Sequence, residues 1–117
     1  MKYEIWSNMA GRSKEFREAN PDHSQFFNGY KPGAPMMKSY EAPLWDACKS
    51  FVIIHPEIVL ERLFEMFNAD SRPNGRVAHS LSIGDVVVLD TNARTAYSVE
   101  SRGFKEVENF EPVVFEC

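Results

Sequence analysis

The sequence predicts an α+β fold: a small, mostly antiparallel sheet packed against one main helix, with a long irregular aromatic-rich loop. Three patterns carry that expectation. Val59, Leu63 and Phe67 recur on one helical stripe with Leu60 and Phe64 beside it, while Glu57, Glu61 and Glu65 recur on another, which is an amphipathic helix. Val86-Val87-Val88-Leu89 is an unbroken aliphatic run of the kind that forms a strand covered on both faces. From Thr95 to Ser101, Tyr97 and Val99 alternate with Ser98 and Glu100, so a returning strand is expected with one apolar face and one wet face.

In chain order, Met1 to Trp6 alternates, with Tyr3 and Ile5 facing one way and Lys2, Glu4 and Trp6 the other. This reads as a strand that pairs with Val86–Leu89 or its neighbours. Ser13 is a candidate N-cap for a short helix to about Ala19 anchored by Phe16, and Asn20-Pro21 ends it. Arg12, Lys14 and Arg17 make that segment locally basic. Asp22 to Ala42 contains Gly29, Pro32, Gly33 and Pro35, which are expected to forbid a long helix or strand. Phe26, Phe27, Tyr30, Met36, Met37 and Tyr40 are interleaved with them. Such a loop either packs over the core or offers aromatics to a partner.

Pro43 to Ser50 reads as a short helix with Pro43 at its first position. Phe51–Ile54 is either a strand or a continuation of that helix. Pro56 and Glu57 suit the start of the main helix, and Asn68 is a candidate C′ residue at its end. Gly84-Asp85 is turn chemistry, Thr91 to Arg94 a hairpin connection with Asn92 a candidate for the left-handed position, and Arg102-Gly103 a turn into a third short segment holding Phe104 and Val107. A meander is the simplest topology. Pro112 before Val113-Val114-Phe115 indicates an edge strand.

A chain of 117 residues bounds the answer to one domain, residues 1–117, large enough for a core without staples. The net charge of −4 argues against a nucleic-acid binder that works by bulk charge, since phosphate contacts need Lys and Arg. Cys48 and Cys117 lack metal-ligand spacing, so free thiols in a reducing cytoplasm are expected. No secretory signal and no bilayer-spanning stretch is visible.

The chemistry-bearing residues divide into three groups. His79, Ser80, Ser82 and Asp85 contain the residue types of a hydrolase. Adjacent residues on an extended chain point apart, however, and no Gly-x-Ser-x-Gly elbow is present. Turn-closing hydrogen bonds are the better account, and no catalytic residue is assigned. His23, His55 and His79 are dispersed, so no metal or other cofactor is expected. Arg72, Asn74 and Arg76, with His79 and Asp85 nearby, form a candidate ligand site, because forked guanidinium donors grip phosphate or carboxylate. The duller reading is that the arginines offset the negative helix end. Glu100, Glu106, Glu108, Glu111 and Glu116 accumulate late in the chain, and several are expected to share a sheet face. With Phe26, Phe27 and Tyr30 the first four of these are candidate partner-binding residues, the acids suited to a basic protein surface.

The ordered set Leu60-Glu61-Arg62-Leu63-Phe64-Glu65-Met66-Phe67-Asn68, Arg76, His79-Ser80-Leu81-Ser82-Ile83-Gly84-Asp85-Val86-Val87 and Gly103-Phe104-Lys105-Glu106-Val107 resembles the YodL-like domain. The resemblance runs over roughly Leu60 to Phe110. It implies a core over about 57–110, with an N-terminal strand and loop region over 1–56. The Tyr3-Glu4-Ile5 strand sits where that family begins with a short strand. Gly84 departs from the serine-like residue expected there, and Asp22–Ala42 has no counterpart in the pattern. Since the family occurs in phages, prophages and conjugative elements, the resemblance implies a mobile-element protein and assigns no chemistry. The expectation is a non-enzymatic host-defence inhibitor, of the anti-CRISPR type or similar, in the cytoplasm of a bacterial host. It would bind a defence nuclease or effector by protein–protein contact. The alternative expectation is a small-ligand or nucleotide-binding domain using the Arg72–Asp85 region.

Overall fold

The computed structural model describes residues 2–12, 14–19, 30, 32–44, 56–91 and 93–114. They form strands β1 (Lys2–Asn8), β2 (Pro35–Pro43), β3 (Val86–Asp90), β4 (Arg94–Val99), β5 (Phe104–Val107) and β6 (Val113–Val114), with helices α1 (Lys14–Ala19) and α2 (Pro56–Asn68). One sheet holds all six strands in the order β5-β4-β3-β1-β2-β6. Its neighbours are antiparallel except for the parallel edge pair β2–β6. The α+β class, the β3–β4–β5 meander and the pairing of the N-terminal strand with Val86–Leu89 follow the patterns in the sequence.

Helix α2 forms where the apolar stripe predicts it and buries Val59, Leu60, Leu63 and Phe67 on the sheet. The Phe67 ring meets Tyr3 at 6.1 Å and Tyr40 at 5.4 Å, both edge-on. Each such burial contributes about 1.5–3 kcal/mol. The surface pair Arg62–Glu65 at 3.8 Å adds only a few tenths, so packing holds the helix. Phe64 sits at the margin, 38% exposed, with its ring edge on Phe104 at 6.1 Å. Asn68 is the last helical residue rather than a left-handed C′. It ends the helix through its side chain, whose Nδ2 donates to the Phe64 carbonyl at 2.8 Å.

Three expectations are overturned. Residues 35–43 are a nine-residue strand inside the sheet, not irregular loop. Pro35 and Pro43 occupy its first and last positions, where a missing N–H costs the ladder little. Pro43 therefore ends a strand instead of starting a helix. The second face of β4 is also not wet. Trp6, Met36, Val86, Val88 and Ala96 form a second core there, with Tyr30, Val107 and Phe110 packed against it. Phe110 is the keystone of that cover, edge-on to Trp6 at 5.7 Å and to Tyr30 at 5.2 Å. Ser98 and Glu4, which simple alternation places in water, are consequently 2% exposed each.

Glu4 survives in that layer because its charge is matched. Its carboxylate accepts two guanidinium bonds from Arg94, at 2.6 and 2.8 Å, and one from the Trp6 indole N–H at 2.8 Å. The Arg94 hydrogen bonds hold its pKa down at about 2. The expectations for Ser13, Phe26, Phe27, Phe51–Ile54, Asn92, Phe115 and Glu116 fall outside the described residues. Among the described residues no helix is long and apolar enough to cross a membrane.

Candidate functional site

The segment between α2 and β3 is a run of tight turns pinned at three points. Asn74 and Ala78 are buried, and Leu81 is both buried and bonded through its N–H to the Phe67 carbonyl at 3.1 Å. Ahead of and between the pins, Arg72 N–H reaches the Ala69 carbonyl, Gly75 N–H reaches that of Arg72, and Val77 and Ala78 N–H both reach that of Asn74. A side chain at Gly75 would crowd the Arg72 carbonyl, since a Cβ there would lie 3.3 Å from it.

Beneath this loop the β1–β2 register slips. Ile5 pairs with Tyr40 but Trp6 with Lys38, so Ser39 is an extra residue, a β-bulge. The bulge turns Ser39 toward the loop. Its hydroxyl accepts from Ser7 Oγ at 2.9 Å and from Asn74 Nδ2 at 2.9 Å, and donates to the Ile5 carbonyl at 3.3 Å. With its one proton committed to Ile5, Ser39 can only accept from Asn74, and that orients the Asn74 amide. Asn74 Oδ1 is then left over. It and Arg72 Nε are buried and have no hydrogen-bond partner among the described residues. Arg72 Nη2 makes a long bond of 3.3 Å to the Ala78 carbonyl. Ser39, Arg72, Asn74 and Arg76 line an open pocket of about 460 Å³, which the Asp70 carboxylate and Ser71 also line.

His79 and Asp85 lie outside that pocket and clasp each other. His79 Nε2 sits 3.1 and 3.0 Å from the two Asp85 oxygens. Asp85, 1% exposed, also accepts the backbone N–H of Asn8 at 2.7 Å and of Ser82 at 2.9 Å. It thereby ties the end of β1 to the entry of β3. The hydrogen bond from Asp85 raises the His79 pKa above its ordinary value, against opposition from burial and from the charges of Arg12 and Arg72. Ser82 Oγ donates to the Ser80 carbonyl at 2.7 Å, so its proton does not go to His79. Gly84 has φ 93°, a conformation that strains any serine-like residue.

The predicted acidic face comes apart as well. Glu106 alone of Glu100, Glu106, Glu108 and Glu111 lines the groove between α2 and the β4–β5 hairpin. It is joined there by Glu57 and Glu61 of the helix, around Leu60, Tyr97 and Phe104, in a volume of about 390 Å³. Burial and then the charges of Glu106 and Glu57 push the Tyr97 pKa up. Glu100 accepts a long bond from Ser98, at 3.3 Å, while Glu108 and Glu111 are exposed beyond β5. Tyr30 packs on Phe110 as core cover. Sequence reasoning missed Ser7 and Ser39, which only the bulge brings to Asn74, and missed Glu57 and Glu61 as neighbours of Glu106. The glutamates could have been found from their helical spacing, since they lie on the margin of the buried stripe. Among the described residues no cluster of His, Cys, Asp and Glu has the makings of a metal site.

The YodL-like domain model matches residues 32–110. The chain belongs to the YodL-like family. No curated protein and no solved structure matches it. The YodL-like match opens just ahead of β2 and closes at Phe110, so it takes in the bulged strand, α2, the turn-rich loop and the meander. Residues 32–42 therefore do have a family counterpart. β1, which the resemblance set at the family's beginning, precedes the matched span.

Proposed function

We propose that this YodL-like protein is a non-enzymatic binding protein of a mobile genetic element that blocks a bacterial host protein, such as a defence nuclease or effector, by docking against its basic surface. The observation that carries the reading is the groove between α2 and β4–β5. Carboxylates from two separate elements, Glu57 and Glu61 on the helix and Glu106 on the strand, rim an apolar and aromatic floor of Leu60, Tyr97 and Phe104. Exposed Ile58 and half-exposed Phe64 extend apolar surface along the same helix. An apolar centre with an acidic rim suits a lysine- or arginine-rich protein surface, and the charges speed and select the encounter. The commitment of Asp85 to two backbone amides and of Ser82 to a carbonyl also supports contact over catalysis.

The test compares the wild type with Glu57→Lys/Glu61→Lys/Glu106→Lys against a host protein captured and then purified. Affinity is expected to fall by about 100-fold in the variant, and the wild-type affinity to weaken steeply between low and physiological salt. Equal affinity of the folded variant would refute the groove as the docking surface.

A further inference from the structure

We propose that the pocket beside Ser39, at the opposite end of α2 from the acidic groove, binds a phosphate monoester as its monoanion. Arg72 and Arg76 would take the charged oxygens, and Asn74 Oδ1 would accept from the remaining P–O–H. The argument begins with what the arginines do not do. The α2 C-terminus is already served by Asn68 Nδ2 on the Phe64 carbonyl and by Leu81 N–H on the Phe67 carbonyl. Arg72 makes its hydrogen bond to Ala78, beyond the helix, so offsetting the helix end does not explain it.

Two buried polar atoms then remain over, and they are complementary. Arg72 Nε is a donor, and Asn74 Oδ1 is an acceptor whose orientation the Ser7–Ser39 relay enforces. Leaving either unmatched is costly, and such groups in a native fold call for a partner. A group that satisfies both must accept from a cation and donate to a neutral oxygen at once. A phosphate monoester does this in its singly charged form, which predominates below its second ionisation at about pH 6. A phosphodiester of the same charge and a sulfate of twice the charge have similar shape but carry no proton to give. The Asn74 acceptor thus selects against sulfate and against the nucleic-acid backbone, which also accords with the net charge of −4. Both atoms are closed off from solvent in the unliganded fold. The route to them would be a swing of the Arg72 guanidinium, which among the described residues is held by the 3.3 Å bond to Ala78.

The deciding experiment is a titration followed by amide NMR at about pH 5.5, where the monoanion predominates, and at constant ionic strength, with glycerol 2-phosphate, sulfate and dimethyl phosphate as separate probes. Saturable shifts confined to residues 70–78 and Ser39 are expected with the monoester, and about tenfold weaker binding with sulfate and with the diester, the loss expected for one hydrogen bond to a charged ligand. Arg76→Ala, at an exposed position, is expected to weaken monoester binding about tenfold while leaving the fold intact. Arg72→Gln, which keeps a donor for Ala78, serves as the second variant and is expected to do the same. Equal binding of sulfate would reduce the pocket to plain cationic attraction and overturn the proposal. The absence of any saturable shift up to about 20 mM would overturn it too, leaving the two atoms to a buried water.

Discussion

Asp85→Ala is expected to lower the unfolding free energy by about 3–5 kcal/mol, a large share of the roughly 5–15 kcal/mol that a domain of this kind possesses. The substitution deletes no large apolar surface. Its cost comes from stranding the Asn8 and Ser82 amides in a part-buried site and releasing His79. Asp85→Asn, which keeps one acceptor oxygen, should cost roughly half as much. Denaturant unfolding reads both, with the midpoint falling and the slope unchanged if the native fold is retained. A loss under about 1 kcal/mol in Asp85→Ala would mean that the clasp does not hold β1 to β3. The same clasp makes stability depend on pH. The folded-state pKa of His79 is raised, so the protonated imidazole stabilises the fold most below its ordinary value of 6.5, and that contribution disappears as pH climbs through the raised value. His79→Gln should therefore cost about 1 kcal/mol near pH 6 and almost nothing near pH 9, because the ring is partly exposed and solvent weakens the pair. A wild-type stability curve that is flat across this window, with His79→Gln superimposed on it, would contradict the pairing.

Arg94→Ala is expected to cost about 2–3 kcal/mol, the low end of the range for breaking a buried ion pair because the arginine itself is 46% exposed. The loss lies on the Glu4 side. Its carboxylate, 3% exposed, would be left with the Trp6 indole donor and a Lys2 ammonium 3.8 Å away. Arg94→Lys should recover only part of the loss, since a lysine cannot supply the two-pronged contact. The double variant Glu4→Leu/Arg94→Leu should recover most of it, because two apolar side chains remove the stranded charge along with its partner. If the double variant were no more stable than Arg94→Ala, stranded charge would not be the cause. The acid side supplies a second readout. With its pKa depressed from 4.5 to about 2, Glu4 stabilises the fold fully above the ordinary value and loses that contribution as pH falls toward 2. In Arg94→Ala, acid unfolding should accordingly begin at a higher pH than in the wild type, as followed by circular dichroism.

These two charged clasps join residues 77 and 90 positions apart in the chain, and neither was legible before the strands were paired. The elements themselves were. The stripe of Val59, Leu63 and Phe67 and the run Val86–Leu89 report their own conformation, because helix and strand periods are written in near neighbours. Proline position was the local signal misread. Pro35 reads as a breaker and Pro43 as a helix start, whereas each stands at an end of β2 and costs it almost no ladder bond. The candidate ligand residues divided in the same way. Arg72, Asn74 and Arg76 share a turn and stayed together, whereas His79 and Asp85 turned to each other and to the end of β1.

By itself the sequence determined the α+β class, the helix, the meander and the family, since each rests on contacts or patterns within a short span of chain. Tertiary structure alone decided that the second-face cover extends beyond β3 to Trp6, Met36 and Ala96 on its neighbours, that Ser39 bulges beneath Asn74, and that Glu106 gathers its acidic companions from α2. Burial and hydrogen-bond partners depend on which strand lies alongside and in what register. A change of one residue in that register sends a side chain to the opposite face.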